Sequence, residues 1–293
     1  MIALKKLKII VDSTSDIPEH FMEEYDIDVV PLYVIWPDGT QEKDTWKEEE
    51  KREFYRRLME SPEIPDTSQP TVQDFVQKYR EVKEAGYDEI LVITISTQMS
   101  GTYNSATLAA KEVDIPVYVF DSLRASAIVA MMARDARLAH QKGMDTPQIM
   151  DYMKRRFENG DYHAIFYVSN FEYLVKGGRI SKFQGFLGTM LKLKVNVFID
   201  ETGNMIPYAK SRGTAKAQKA IIDKLKDLGY REGEKIEIMT ITAGADEEAQ
   251  RLCEEFKKHF EVVFCDHSLT SKVITKHVAP GMVGAGVVRY REG

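Results

Sequence analysis

The sequence predicts an α/β protein of two domains, a parallel-sheet α/β/α N-terminal domain over residues 1–160 and a smaller mixed α/β C-terminal domain over residues 161–293. Three observations predict it. Short apolar runs alternate with capped helical segments through the first half, the pattern of parallel strands joined by right-handed crossovers. Beyond Asn159-Gly160-Asp161 the pattern changes to a β-hairpin followed by further helices and strands. A length of 293 residues, at about 150 per domain, also suits two compact domains better than one.

Taken in order, Leu7 to Val11 reads as a strand, with Asp12-Ser13-Thr14-Ser15-Asp16 and Pro18 as the loop and first turn of a helix. Val29 to Trp36 reads as one strand, closed by a Pro37-Asp38-Gly39 turn in which proline fixes φ and glycine accepts positive φ. A charged helix runs from about Lys47 to Met59. Thr71 and Asp74 form a capping-box-like pair at the head of the next helix, and Glu89 to Ile95 is a buried strand. Helix Thr102 to Val113, strand Val117 to Asp121 and helix Ser126 to Gln141 continue the alternation, and Thr146-Pro147 caps one more helix ending near Asn159. In the second domain the hairpin comprises Lys192 to Ile199, the turn Asp200 to Gly203, and Asn204 to Lys210. Helix Thr214 to Leu228, strand Lys235 to Ala243, helix Asp246 to Phe260 and strand Glu261 to Cys265 follow.

Hydrophobic residues at 43% and charged residues at 29% are the balance of a globular chain and not of a disordered one. No apolar run approaches the roughly 18 residues of a spanning helix. The basic start, Met1 to Lys8, meets Asp12 too soon for a signal peptide, so a cytoplasmic location is expected. A net charge of -6 offers no source for the counterion release that drives nucleic-acid binding. Cys253 and Cys265 have no CxxC or histidine spacing for zinc or redox chemistry and read as core residues.

The turn Ser96-Thr97-Gln98-Met99-Ser100-Gly101-Thr102 stands directly after a strand and before a helix. In a parallel sheet such a turn lies at the carboxyl ends of the strands, where ligands bind and the first helical N–H groups point. Gly101 allows close approach of the backbone, and Ser100 and Thr102 add hydroxyl donors, so the turn reads as an anion site. The same residues serve equally well as a plain helix N-cap. Thr67-Ser68-Gln69-Pro70, in a loop ahead of a helix, presents two hydroxyls and an amide, although alone it is an ordinary capping motif. With Asp12-Ser13-Thr14 this makes three polar strand-to-helix turns, which suggest a common mouth.

Lys176-Gly177-Gly178-Arg179-Ile180-Ser181 follows the apolar Tyr173-Leu174-Val175, so its glycines stop a short helix. Arg179 beside them either binds carboxylate or phosphate with its guanidinium fork or is simply solvated. Near the end, Thr275 to Gly286 sets His277 beside a Pro280-Gly281 turn. Its glycines do not make a dinucleotide fingerprint, because the spacing differs and the strand-like Val287-Val288 follows.

In this order, Val11-Asp12-Ser13-Thr14, Thr67-Ser68-Gln69-Pro70, Ser100-Gly101-Thr102, Asp121-Ser122, Gly177-Gly178-Arg179-Ile180-Ser181 and the His277 to Gly281 turn resemble the DegV family across nearly the whole chain. One departure is visible: the family motif reads His-x-Gly-Pro-Gly, and Ala279 replaces the first glycine. The resemblance implies a long-chain fatty acid in a tunnel between the two domains, tail buried and carboxylate near the mouth. Thr67, Ser100 and His277 would bind the carboxylate, supported by Ser96, Gly101, Thr102 and Gly281. Arg179 and Arg212 would sit near the mouth. The resemblance further implies an acyl-binding carrier, not itself an enzyme, that presents the carboxylate to a separate fatty acid kinase catalytic subunit, the acyl phosphate feeding phospholipid synthesis. No metal or other cofactor is expected, and monomer is the default.

Two other readings compete. Ser100, His277 and Asp12 are the residue types of an acyl hydrolase's nucleophile, base and orienting acid, but no G-x-S-x-G elbow surrounds Ser100. The Ser100 turn would also cradle another small anion, such as a nucleotide or sugar phosphate, though no Walker or dinucleotide sequence accompanies it.

Overall fold

The computed structural model describes residues 4–180 and 193–291. In chain order the first part comprises β1 (Leu7–Asp12), α1 (Glu19–Glu24), β2 (Ile27–Val30), β3 (Tyr33–Ile35), β4 (Gln41–Lys43), α2 (Glu48–Glu60), β5 (Asp66–Ser68), α3 (Val72–Glu84), β6 (Glu89–Thr94), α4 (Thr102–Ala109) and β7 (Val117–Asp121). Helices α5 (Ala127–Gln141) and α6 (Thr146–Glu158) lead to β8 (Tyr162–Val168), α7 (Phe171–Gly177), β9 (Lys194–Ile199) and β10 (Met205–Ser211). Then come α8 (Thr214–Asp227), β11 (Lys235–Thr242), α9 (Asp246–His259), β12 (Glu261–Leu269), α10 (Lys272–Val278) and β13 (Val283–Arg289).

The first sheet, in the order β2-β1-β6-β7, is parallel throughout. β1 and β6 are buried at every position, which is why their sequences are apolar runs without alternation. The second sheet, β10-β9-β8-β13-β11-β12, is mixed, with β11 and β12 parallel and its other pairs antiparallel. A small antiparallel sheet, β4-β3-β5, stands apart from both. The division expected at residue 160 falls in the turn between α6 and β8.

Helix α5 explains how the two large sheets share one core. It packs against β1 and β6 of the parallel sheet and against β8, β11 and β13 of the mixed one, and 11 of its 15 residues are buried. Its alanines allow backbones to approach closely, and Gly286 on β13 completes the fit: a Cβ there would collide with the backbone of Ile128. Two polar locks join the same halves. The buried Arg124 donates to the carbonyls of Tyr162 (3.0 Å) and Asp200 (2.7 Å). Ser96 Oγ donates to the carbonyl of Gly203 at 3.0 Å, in the hairpin turn where Gly203 takes φ +86°.

Several elements differ from expectation. The run Val29 to Trp36 is two strands in two sheets, because Pro31 has no N–H for a ladder and the chain turns there. Thr67 lies in β5, paired with Val34, and not in a loop. The helix from Thr102 ends at Ala109 and tightens into a 3₁₀ turn, Ala110–Glu112. Asp145, not Thr146, caps α6, in a capping box with Gln148. The strand from Glu261 runs on to Leu269, and His277 itself lies in α10, just ahead of the expected Pro280-Gly281 turn. β4 and β8 had no counterpart in the sequence reading. Cys265 is exposed and not a core residue. Of the predicted segments, Ser181 and the first hairpin residue, Lys192, lie outside the described residues.

Candidate functional site

The carboxyl ends of β1 and β6 meet at the buried Asp12. One of its carboxylate oxygens accepts from the N–H and hydroxyl of Thr14, and the other accepts from Ile95 N–H at 2.7 Å. Burial pushes the Asp12 carboxyl up to about 6, against these hydrogen bonds. Asp12 therefore fixes two of the polar turns to one another.

Those turns, with β5, Arg179 beyond the end of α7, and α10, border a cavity of about 300 Å³. Thr14, Thr67, Gln69, Ser100, Gly101, Arg179 and His277 supply its polar wall. Thr67 Oγ1 lies 3.0 Å from His277 Nε2. Ser100 Oγ lies 2.8 Å from Thr102 Oγ1 and accepts from Thr102 N–H at 3.3 Å, so it tethers the first turn of α4 as well as lining the cavity. A Cβ at Gly101 would overlap the Gln69 amide, which donates to Ser105 Oγ at 2.9 Å. Glycine is needed there for that close approach. Arg179 is held by the carbonyls of Gly177 (2.7 Å) and Met99 (3.4 Å).

His277 is buried in the last turn of α10, and its Nδ1 has no hydrogen-bond partner among the described residues. Burial, reinforced by Lys276 and Arg179, lowers its pKa to about 3. The ring is neutral at pH 7 and works as a hydrogen-bonding partner of Thr67. Gly177 makes room for it, since a Cβ there would press on Nδ1. The head of α10 is fixed from elsewhere in the chain: Ser271 N–H donates to Asp16 (2.6 Å) and Lys272 N–H to Asp44 (2.8 Å). Beyond its end, Ala279 adopts φ +72°, a region that favours glycine, so the departure from the family motif falls where the backbone is strained.

The remaining predicted residues lie around this cavity and not on its wall. Ser96 and Thr102 are buried behind it. Gly281, at φ +85°, bonds its N–H to Ala243 O at 2.8 Å. Arg212 is exposed in the turn between β10 and α8. The triad imagined for a hydrolase is not assembled: His277 bonds Thr67, Ser100 bonds Thr102, and Asp12 is occupied by Thr14 and Ile95.

Behind the polar cavity lies a narrower one of about 30 Å³, bounded by the start of α5, β8 and β13. Its wall is apolar, including Ala127, Ala164, Phe166 and Ala285. Met205, Ile274 and Val278 line both cavities and form the junction. The larger, partly polar cavity and the small apolar one thus share a wall. Sequence reasoning missed these junction residues, whose apolar side chains carry no signal that separates them from ordinary core.

A family model described as "Uncharacterised protein, DegV family" matches residues 6–290. A fatty acid-binding protein of Thermotoga maritima is 49% identical over 282 residues, 96% of this chain and 97% of that protein. Among solved structures, a DegV lipid-binding protein from the same organism superposes with TM-score 0.94 at 46% identity, covering 98% of this chain and 100% of that one. A second Thermotoga maritima structure, described as revealing fatty acid binding function, has TM-score 0.93 and 45% identity over 98% of this chain and 100% of that one.

Proposed function

Since this chain belongs to the DegV family, we propose that it binds one long-chain fatty acid, with the carboxylate at the polar wall of the larger cavity and the tail directed past Met205, Ile274 and Val278 into the apolar core, which opens to admit it. The observation that supports the reading is the shared wall: Met205, Ile274 and Val278 line both a cavity that carries Thr67, Ser100 and His277 and a small, almost wholly apolar one behind it.

Chemistry divides between the two ends. Burying a CH₂ contributes about 0.8 kcal/mol, so a tail of about 14 methylenes supplies roughly 11 kcal/mol before immobilisation costs. Hydrogen bonds to the carboxylate add about 1.5–3 kcal/mol each. The tail sets affinity and the head sets orientation. With His277 neutral and its proton on Nε2, the ring donates to Thr67 Oγ1, and in that tautomer the Thr67 hydroxyl proton is left to donate to the ligand. Ser100 acts beside it, and Ser96, Gly101, Thr102 and Gly281 hold the surrounding turns. The positive charge at the mouth comes from Arg179.

The protein is a carrier in this reading and catalyses nothing itself. A separate fatty acid kinase catalytic subunit phosphorylates the presented carboxylate, with Arg179 and Arg212 facing that partner. Solvent extraction of protein purified from a bacterial host, followed by mass spectrometry, tests the central point. About one long-chain fatty acid per chain is expected, and absence of stoichiometric lipid from undelipidated protein overturns the reading.

A further inference from the structure

The chain has two cysteines, and the fold brings them together. Cys253 lies on the packed face of α9 with Ala249, Leu252 and Phe256. Cys265 lies on β12, the edge strand of the mixed sheet. Their Sγ atoms are 2.7 Å apart, closer than two unbonded sulfurs normally approach and longer than the roughly 2.05 Å of a disulfide bond. Cys253 is buried, whereas Cys265 is exposed, so the pair is reachable from solvent through one member.

We propose that Cys253 and Cys265 form a peroxide-responsive dithiol whose oxidation staples α9 to β12. The thiolate of the pair attacks one oxygen of the peroxide, breaking the O–O bond to give a sulfenic acid and hydroxide, which takes up a proton to become water. The second thiol then attacks the sulfenic sulfur; the S–S bond forms and the sulfenic oxygen leaves as water with that thiol's proton. The two sulfurs lose two electrons and the peroxide gains them. A dithiol reductant reverses the staple by exchange.

The local chemistry favours the first step. The hydrogen bond shared with Cys265 and the Lys257 ammonium one turn along α9 bring the Cys253 thiol down to about 7, while that same hydrogen bond and burial raise the Cys265 thiol, so the attacking thiolate is Cys253, reached past its exposed neighbour. A fraction of the pair is therefore thiolate at neutral pH, the reactive form. The staple also has a mechanical consequence. β12 runs into Leu269 and Thr270, whose carbonyls accept from Lys51 and Tyr55, and then into α10. Tying β12 to α9 stiffens an edge strand that leads directly to the helix carrying His277.

The test uses the full chain, reduced and then treated with a small excess of hydrogen peroxide. The intact mass falls by two hydrogens, both thiols become unreactive to a thiol reagent, and peptide mapping joins the segments containing Cys253 and Cys265. Closing so short a loop raises Tm by about 4–8 °C, and dithiothreitol restores the original value. C253S and C265S each abolish the response; C265S, at an exposed position, provides the control should C253S fold poorly. Two thiols that stay reactive, separate sulfinic or sulfonic acids, or covalent dimers through Cys265 overturn the proposal.

Discussion

Thr67 Oγ1 and His277 Nε2 stand 3.0 Å apart, although 210 residues separate them in the chain. One comes from the short strand β5 and the other from the last turn of α10, so the proposed head-group site is assembled from both halves of the molecule. The neutral His277 ring orients the Thr67 hydroxyl without contributing charge.

Thr67→Val keeps the shape of the side chain and removes that hydroxyl. Palmitate binding is expected to weaken about 10- to 100-fold, the loss of one charged hydrogen bond, while the apolar contribution of the tail persists. Gly177→Ala, whose Cβ would press on His277 Nδ1 and push the ring away, is expected to act in the same direction without touching either hydroxyl. Isothermal titration of delipidated protein measures both; unchanged affinity in Thr67→Val removes Thr67 from the carboxylate site.

Opposite pH limbs are expected from Asp16 and His277. Burial raises Asp16 from 3.8 to about 7, so the folded state keeps a proton that the unfolded chain releases. Stability from that site is full below the unfolded value and is lost as pH rises through about 7. His277 is lowered from 6.5 to about 3, so its contribution is full above 6.5 and is lost as pH falls through about 3. Asp16→Asn still accepts from Ser271 N–H and donates to Ser126 Oγ, and it cannot ionise. Urea unfolding at pH 5 and pH 8 is expected to reveal a smaller drop toward alkaline pH in the variant than in the parent. An identical drop shows that Asp16 does not carry the limb.

Met205 lines both cavities, so in the proposed binding mode it stands where the tail leaves the head group. It opens β10, opposite Ile199, and also bridges to Ile180 beside the Arg179 turn. Overfilling a packed constriction costs about 1–3 kcal/mol. Met205→Phe is therefore expected to weaken palmitate about tenfold or more and to leave octanoate, whose short tail stops near the junction, unchanged. Equal loss for both acids assigns the effect to misfolding or to the head group and not to passage.

The parallel sheet was legible because β1 and β6 are uninterrupted apolar runs followed by polar turns, and position in that sheet brings those turns together. α10 was not. Val273, Ile274, Thr275 and Val278 are β-branched and disfavour a helix on their own. The helix forms because Asp16 and Asp44, more than 220 residues earlier, accept the N–H groups of Ser271 and Lys272. β8 was hidden for a different reason: Tyr162 to Val168 is as fully buried as β1 and β6, but His163 interrupts its apolar run and no polar strand-to-helix turn of the first sheet's kind marks its end. The polar members of the site could be read from turn chemistry and family resemblance. Its apolar junction depended on packing between distant segments.

Arg179 and Arg212 are expected to separate by phenotype, because one lines the cavity and the other is exposed in the turn between β10 and α8. Arg179 grips the carbonyls of Gly177 and Met99, so it joins the turn beside His277 to the turn carrying Ser100 while placing positive charge at the mouth. Arg179→Ala is expected to lower fatty-acid retention as well as transfer, and Arg179→Lys to recover little, since an ammonium does not reproduce the two-carbonyl grip. Arg212 makes no such demand on the ligand. Phosphoryl transfer to a carboxylate brings two anions together, and a guanidinium supplied at the surface offsets that repulsion most as charge spreads over the transferring group. With a bacterial fatty acid kinase catalytic subunit, Arg212→Ala is expected to leave lipid content unchanged and slow acyl-phosphate formation. Lipid extraction and acyl-phosphate assays on the same preparations separate the two effects. Loss of lipid from Arg212→Ala, or an unchanged transfer rate, excludes a partner-facing role for Arg212, and parental values in Arg179→Ala exclude Arg179 from the mouth.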